Sequence, residues 1–274
     1  MPVLYLVATP IGNLEDITLR ALRVLDEADL IAAEDTRVTR RLLDRHGINT
    51  AMTSYHEHNK HTKTARIIRE LETKDVALVS DAGMPGINDP GSELVRAAAE
   101  AGIQVVPVPG PSALTSAIAV SGLQIDQFVY LGYLPKKRAS RAKLLSSLSV
   151  EKKALLVLET PHRLKGALED VLEALGDRRM TVCRELTKLY EEVFRGVVSD
   201  AIAHFTEPRG EFTLVIEGSG EEEQGGLQSE EEARLLLAEL RADGAGVRDA
   251  VARVTEATGL PRRLVYRMWI ETSG

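Results

Sequence analysis

Apolar residues fall along this chain in short, nearly unbroken runs separated by stretches of helical spacing. Val3 to Ala8, Leu30 to Ala33, Val76 to Val79 and Val105 to Val108 are such runs and read as strands. Between them, Leu19, Leu22 and Leu25 share one face of Thr18 to Glu27, which predicts an amphipathic helix. Thr36 to Arg45 predicts another, closed by Gly47, and Ser92 to Ala101 a third, ended by Gly102. Strands apolar along their whole length are buried on both faces. The first half is therefore expected to be a mainly parallel sheet between helical layers.

The second half is less regular. Phe128 to Leu131, Ala154 to Leu158, Met180 to Arg184, Glu192 to Arg195 and Phe212 to Glu217 read as strands. Ser140 to Leu148, Leu164 to Leu175 and Val198 to Phe205 read as helices. Several of these strands follow one another directly, so a mixed sheet is expected. Residues 219–229, which include Ser-Gly-Glu-Glu-Glu-Gln-Gly-Gly, have the composition of an acidic linker. Beyond it, Glu230 to Arg241, Val247 to Ala257 and Arg262 to Ile270 form three helical patterns, with Gly259 and Pro261 at the last turn. This is the outline of a helix-turn-helix. The expected organisation is an α/β domain over 1–119, a second over 120–218, the linker over 219–229 and a helical domain over 230–274.

Composition narrows the class. The chain has 274 residues, and its 44% hydrophobic content supports a real core. Its single cysteine, Cys183, excludes an internal disulfide and a cysteine metal site, which suits a reducing cytoplasm. No apolar run approaches the ~20 residues of a membrane helix, and no basic leader precedes the first strand. Net charge is −7, but residues 221 to 232 carry six glutamates and no lysine or arginine, so the remainder carries only −1. Local basic clusters then matter more than the total.

The candidate chemistry lies at strand ends. Ser80-Asp81-Ala82-Gly83-Met84-Pro85-Gly86-Ile87-Asn88-Asp89-Pro90-Gly91 and Pro109-Gly110-Pro111-Ser112-Ala113 each link a strand to a helical stretch. Their glycines and prolines force tight turns with exposed backbone N–H groups, where α/β sheets bind ligands. Ser112 is a natural N-cap, serving either the helix alone or an anion. There is no G-x-G-x-x-G and no P-loop. Asp35, Thr36 and Arg37 start a helix at the end of the second strand, as cap or as phosphate contact. Glu159, His162 and Arg163 sit at another strand end. His56, His58 and His61 match no established ligand spacing, so no metal is expected and their loop reads as solvated and substrate-facing. Lys136, Lys137, Arg138, Arg141 and Lys143 form a run of five positive charges, either a solvated helix start or a phosphate-backbone contact.

Together these segments resemble the tetrapyrrole-methylase superfamily of S-adenosylmethionine-dependent (class III) methyltransferases. The matching stretches are Ala8-Thr9-Pro10-Ile11-Gly12-Asn13-Leu14, Ala33 to Arg37, Ser80 to Gly83, Asn88 to Gly91, Pro109 to Ser112, Pro161-His162-Arg163, Arg184-Glu185-Leu186-Thr187-Lys188 and Gly210-Glu211-Phe212. The Pro-Ile-Gly-Asn loop with Ala-Glu-Asp-Thr-Arg is similar to one subgroup, the ribose 2′-O-methyltransferases acting on a cytidine of small-subunit (16S) rRNA. Met84 and Gly86 depart from the usual residues of their loop.

The resemblance implies a two-domain α/β enzyme with a helical C-terminal domain, usually a homodimer, with S-adenosylmethionine in the cleft. It places the cofactor against Pro10, Gly12, Asp81, Ala82, Gly83, Met84, Pro85, Asn88, Asp89, Pro109, Gly110, Pro111, Ser112, Ala113, Leu134, Thr213 and Leu214. Base candidates for activating a 2′-hydroxyl are Asp35, Glu185 and His162; candidate cations are Arg37, Arg163 and Lys188. The five-charge run is assigned to RNA, and small-subunit rRNA within the assembled subunit is the expected partner. Two rivals stand beside this reading: C-methylation of a tetrapyrrole, and a non-catalytic helix-turn-helix nucleic-acid binder.

Overall fold

The computed structural model describes residues 2–219, 223–242, 245–258, 260 and 262–271. The chain divides into two compact units, Met1–Gly218 and Ser219–Gly274. In the first unit, β1 (Val3–Val7), β2 (Leu30–Ala33), β3 (Met52–Ser54), β4 (Val76–Val79) and β5 (Gln104–Val108) form a parallel sheet in the order β3-β2-β4-β1-β5. Helices α1 (Leu19–Glu27) and α2 (Thr36–Arg45) pack Leu25 and Leu43 onto Val7, Ile31, Ala77 and Val79. On the opposite face, α3 (Lys60–Glu70) and α4 (Ser92–Glu100) pack Ile67 and Leu94 onto Leu4, Ala32, Val76 and Leu78. Successive residues of β4 thus enter alternate layers, which is why its sequence is apolar throughout.

The second sheet is mixed. It contains β6 (Phe128–Tyr133), β7 (Ala154–Glu159), β8 (Arg179–Arg184), β9 (Glu192–Val197) and β10 (Phe212–Ile216) in the order β6-β7-β10-β8-β9. Only β6 and β7 are parallel; their register shifts between Tyr130 and Gly132. Helices α6 (Arg138–Ser146), α7 (Pro161–Leu175) and α8 (Val198–His204) bury Leu145, Leu168 and Ala201 on one face. Helix α5 (Ala113–Ser121) covers the other, with Ala117 against Leu156, Cys183 and Val215. The layer over the second sheet therefore begins before residue 120.

The second unit contains α9 (Glu223–Ala242), α10 (Val247–Thr258) and α11 (Arg262–Glu271), joined by a core that includes Leu237, Val254, Val265 and Trp269. Helix α9 corrects the expected linker, since its backbone is helical from Glu223 onward. Glutamate and glutamine are good helix formers, and two glycines in a long helix are tolerated at modest cost. Gly259 and Pro261 lie outside the described residues. Arg241 stacks over the Trp269 ring at 4.0 Å and donates to the Trp269 carbonyl. No helix among the described residues is long and apolar enough to cross a membrane.

Candidate active site

The strand order brings the carboxyl ends of β1, β2 and β4 side by side. Thr9 and Gly83, each beyond its strand, exchange two backbone hydrogen bonds of 2.9 and 3.0 Å and fasten the two loops together. Gly83 holds φ +79° there, a conformation that favours glycine. The ends of β2 and β4 are tied reciprocally: the Asp81 amide donates to Glu34 Oε2 (3.1 Å), and the Asp35 amide donates to Asp81 Oδ1 (3.0 Å).

These loops face the second sheet across a cavity of about 260 Å³. From the first sheet it is lined by Ile11, Glu34, Asp81, Ala82, Gly83, Met84, Ile87, Asn88 and Asp89, followed by Ser112, Ala113 and Leu114. The second sheet adds Tyr130, Tyr133, Leu158, Glu159, Cys183, Leu186, Glu211, Phe212 and Thr213. Apolar side chains thus alternate with five carboxylates. Burial, reinforced by the charge of Glu34, pushes the Asp89 carboxyl up to about 6. Burial likewise lifts the Tyr130 hydroxyl to about 12 and the Cys183 thiol to about 11. The Glu159 side chain is fully buried, and its Oε2 accepts no hydrogen bond although Arg163 lies 3.2 Å away.

Of the residues expected at a cofactor, Asp81, Ala82, Gly83, Met84, Asn88, Asp89, Ser112, Ala113 and Thr213 line this cavity. Pro10, Gly12, Pro85, Pro109, Gly110 and Pro111 are not among its lining residues. Ile11 reaches the cavity between Pro10 and Gly12. Gly110 stands where an added Cβ would come within 3.1 Å of the Ala8 Cβ. Leu134 and Leu214 belong to the buried core of the second sheet. Strand alternation explains Leu214: its neighbour Thr213 faces the cavity, so Leu214 faces away. Ser112 occupies the N-cap of α5 without a side-chain capping bond.

The expected catalytic residues are placed around the cavity rather than in its lining. Asp35 caps α2 and pairs with Arg37 at 2.6 Å; the Arg37 hydrogen bonds hold its carboxyl well below the usual range. Arg37 makes that pair with its side chain 87% exposed. His162 is exposed, and among the described residues it meets Thr160 Oγ1, at 3.4 Å. Arg163 joins Glu159 to the Leu134 carbonyl. Lys188 bridges Glu185 (2.9 Å) and Glu211 (2.8 Å), and the loop carrying it is strained, with φ +49° at Glu185 and +67° at Thr187. Burial disfavours charge on Glu185, but the Glu211 amide and Lys188 outweigh it and hold that carboxyl low.

The basic run needs correction. Arg141 is buried and paired with Asp170 at 2.6 Å, and Arg138 pairs with Asp170 (3.0 Å) and Glu173 (3.1 Å). A helical repeat of three places both on the α7 side of α6, but only Arg141 is buried; the Arg138 side chain stays 73% exposed while making its pairs. Lys136, Lys137, Arg138 and Lys143 remain exposed. No group of three or more histidine, cysteine or acidic side chains among the described residues is arranged to hold a metal.

Residues 3–202 match the sequence family described as tetrapyrrole (corrin/porphyrin) methylases. The chain is 48% identical over 275 residues to the ribosomal RNA small subunit methyltransferase I of Synechocystis, covering 99% of this chain and 98% of that one. It is 50% identical over 221 residues to the protein of the same name from Thermotoga maritima, covering 80% of this chain and 99% of that one. Among solved structures, a uroporphyrin-III C-methyltransferase from Thermus thermophilus superposes with a TM-score of 0.58 at 23% identity, covering 79% of this chain and 94% of that one.

Proposed function

The chain belongs to the tetrapyrrole methylase family and, within it, to the ribosomal RNA small subunit methyltransferase I group; on that premise we propose that it uses S-adenosylmethionine to methylate the ribose 2′-hydroxyl of a cytidine in small-subunit rRNA. The observation that carries this reading is the near full-length similarity at 48% identity to a relative bearing that name. Action in the cytoplasm as a homodimer, on rRNA in the assembled subunit, rests on the family resemblance.

The cavity fits such a donor. A sulfonium and an α-amino group are cationic, and carboxylates ring the space, one of them with a buried oxygen that accepts no hydrogen bond. Ile11, Leu114, Leu158 and Phe212 offer apolar surface to a nucleoside. When bound, the cofactor supplies an activated methyl group whose departure leaves a neutral thioether. The protein's own part is chiefly orientation, which is worth up to ~7–11 kcal/mol in well-aligned cases. Gly83 and the turn from Ser112 to Ala113 hold backbone at the cavity wall; Asp81, Asn88, Asp89 and Thr213 supply polar side chains. Lys136, Lys137 and Lys143 offer exposed charge to RNA phosphates.

The test is transfer of labelled methyl groups from S-adenosylmethionine to small ribosomal subunits, followed by nucleoside mass spectrometry. A 2′-O-methylcytidine is expected. Labelling of uroporphyrinogen-type substrates instead would favour the tetrapyrrole rival.

A further inference from the structure

The second unit contains a cavity of its own, of about 370 Å³, between the N-terminal ends of α10 and α11. Val247, Arg248 and Val251 line it from α10, and Arg262, Arg263 and Tyr266 from α11. It shares no residue with the donor cavity of the first unit. Building on the rRNA-methylation reading, we infer that this cavity holds one unpaired nucleotide of an RNA chain, with its base stacked on Tyr266 and the neighbouring phosphates held by the three arginines.

One spacing builds both walls. In each helix the lining residues stand at i, i+1 and i+4. Positions i and i+4 share a helix face, and the long arginine at i+1 of each trio reaches round to it. Behind them Val254 and Val265 join Leu237 and Trp269 in one core, which fixes α10 against α11. Val251 is 2% exposed and forms an apolar floor, whereas Tyr266 is 51% exposed. The Tyr266 hydroxyl has no hydrogen-bond partner among the described residues. A tyrosine so placed offers ring surface to a ligand instead of filling the core.

The arginines stand where an anion would relieve them. Arg262 and Arg263 open α11, where the helix macrodipole disfavours cations, and no acidic residue lies in that first turn. Arg248 joins them from the start of α10. None of the three has an ion-pair or hydrogen-bond partner among the described residues. Asp249 follows Arg248 in the chain, but adjacent helical positions do not face each other, and Asp249 is absent from the cavity wall. Three guanidinium groups thus border one cavity with no carboxylate paired to them.

That combination selects its ligand. Guanidinium forks grip phosphate oxygens, and an aromatic ring beside apolar side chains takes the face of a base. In a duplex the base faces are stacked on one another and only the backbone and groove edges meet a protein. Tyr266 can therefore stack only on an unpaired nucleotide. The three arginines are exposed, and Arg253 and Arg267 continue the cationic surface along the same helices, outside the cavity. A free mononucleotide would bring a single anionic group to this surface, whereas a chain brings a phosphate to each arginine in turn.

The test measures binding by the full chain, without methyl donor, to a short unstructured RNA and to the same RNA paired with its complement, with a mononucleotide as competitor. The single strand carries a fluorescent base analogue whose emission is quenched by stacking. Tyr266→Ala is expected to weaken the single strand by about tenfold, to abolish the quenching and to leave duplex binding unchanged, while Tyr266→Phe keeps wild-type behaviour. Arg248→Gln combined with Arg263→Gln should flatten the salt dependence of single-strand binding by a slope of ~0.7 for each phosphate no longer neutralised. Arg253→Gln combined with Arg267→Gln, outside the cavity, should leave the quenching intact. Thermal melting of each variant separates lost binding from lost fold. With small ribosomal subunits as substrate, Tyr266→Ala should raise KM and leave kcat. Single-strand affinity indifferent to Tyr266→Ala, equal losses on single strand and duplex, or a mononucleotide that competes as well as the oligomer overturns the assignment. If wild type methylates no rRNA, the functional reading fails separately, and the binding measurements still decide what the cavity holds.

Discussion

The side-chain amide of Asn88 lies against the bare Cα of Gly132. A Cβ at position 132 would stand 2.9 Å from both Asn88 Nδ2 and Oδ1. Both residues hold positive φ, +61° and +63°, and Asn88 Nδ2 also donates to the Tyr130 hydroxyl. The loop after β4 is thereby fitted to the bulge in β6, across the cavity that both line. Gly132→Ala should therefore strain the backbone and displace Asn88, lowering stability by about 1–2 kcal/mol. It should also weaken S-adenosylmethionine binding. Thermal denaturation and calorimetry measure the two effects. Adding Asn88→Ala should relieve the steric part, so the double variant should be more stable than the sum of the single ones. Strict additivity would mean that the pair carries no interaction energy.

Asp170 is 3% exposed and satisfies two arginines at once. Asp170→Ala leaves the buried Arg141 uncompensated and is expected to cost about 3 kcal/mol. Neutralising Lys136, Lys137 and Lys143 should leave thermal stability unchanged. It should reduce the salt dependence of RNA binding by a slope of ~0.7 for each phosphate that is no longer neutralised. An unchanged salt slope would make these lysines a solvated surface.

The contrast between these two groups shows where sequence reading ends. Five adjacent cations look alike as letters; only the packing of α6 on α7 decides that Arg138 and Arg141 turn toward Asp170. The strands of the first sheet were legible because burial on both faces demands unbroken apolar runs. The exception is β3, whose Met-Thr-Ser has no such run, and α3 is mostly polar, with Ile67 its one fully buried residue. The Gly/Pro loops at the cavity were legible because backbone geometry leaves a compositional trace. Glu34 was not separated from Asp35, since cap geometry alone turns Asp35 onto α2 and leaves its neighbour at the cavity. Tyr130 and Tyr133 carry no such trace, because the β6 bulge interrupts the alternation on which facing is judged.

Asp89 should make stability depend on pH in an unusual direction. Its carboxyl titrates at about 6 in the fold against an ordinary value of 3.8, so between these the native state holds the extra proton. The stabilisation it provides is complete below the lower value and is lost as pH rises through about 6. Asp89→Asn should consequently stabilise the protein at neutral pH, by on the order of 1–2 kcal/mol after solvent screening, with no effect in acid. Denaturant midpoints measured at both ends of this range test it. A variant less stable than wild type at neutral pH would contradict the assigned cause. Weakened cofactor binding by the same variant would show that the strain is retained for function.

The last prediction concerns the second unit. Arg248, Arg253, Arg262, Arg263 and Arg267 are exposed on its helices, a cationic surface suited to a polyanion. Yet the Thermotoga maritima relative matches over 221 residues, about the length of the first unit, and this match spans 99% of that relative. A methyltransferase of the same name thus does without a comparable appendage. The three helices of the second unit share a core of their own, and the first unit has its two sheets and their helical layers complete. A chain ending at Gly218 is accordingly expected to fold, to bind S-adenosylmethionine as the full chain does, and to methylate small subunits with kcat retained and KM raised. The salt dependence of its rRNA binding should be shallower, because the arginines of α10 and α11 are gone. Steady-state kinetics at two salt concentrations separate the outcomes. Loss of kcat with KM unchanged would place the second unit in the chemistry itself and would rule out a role limited to substrate capture.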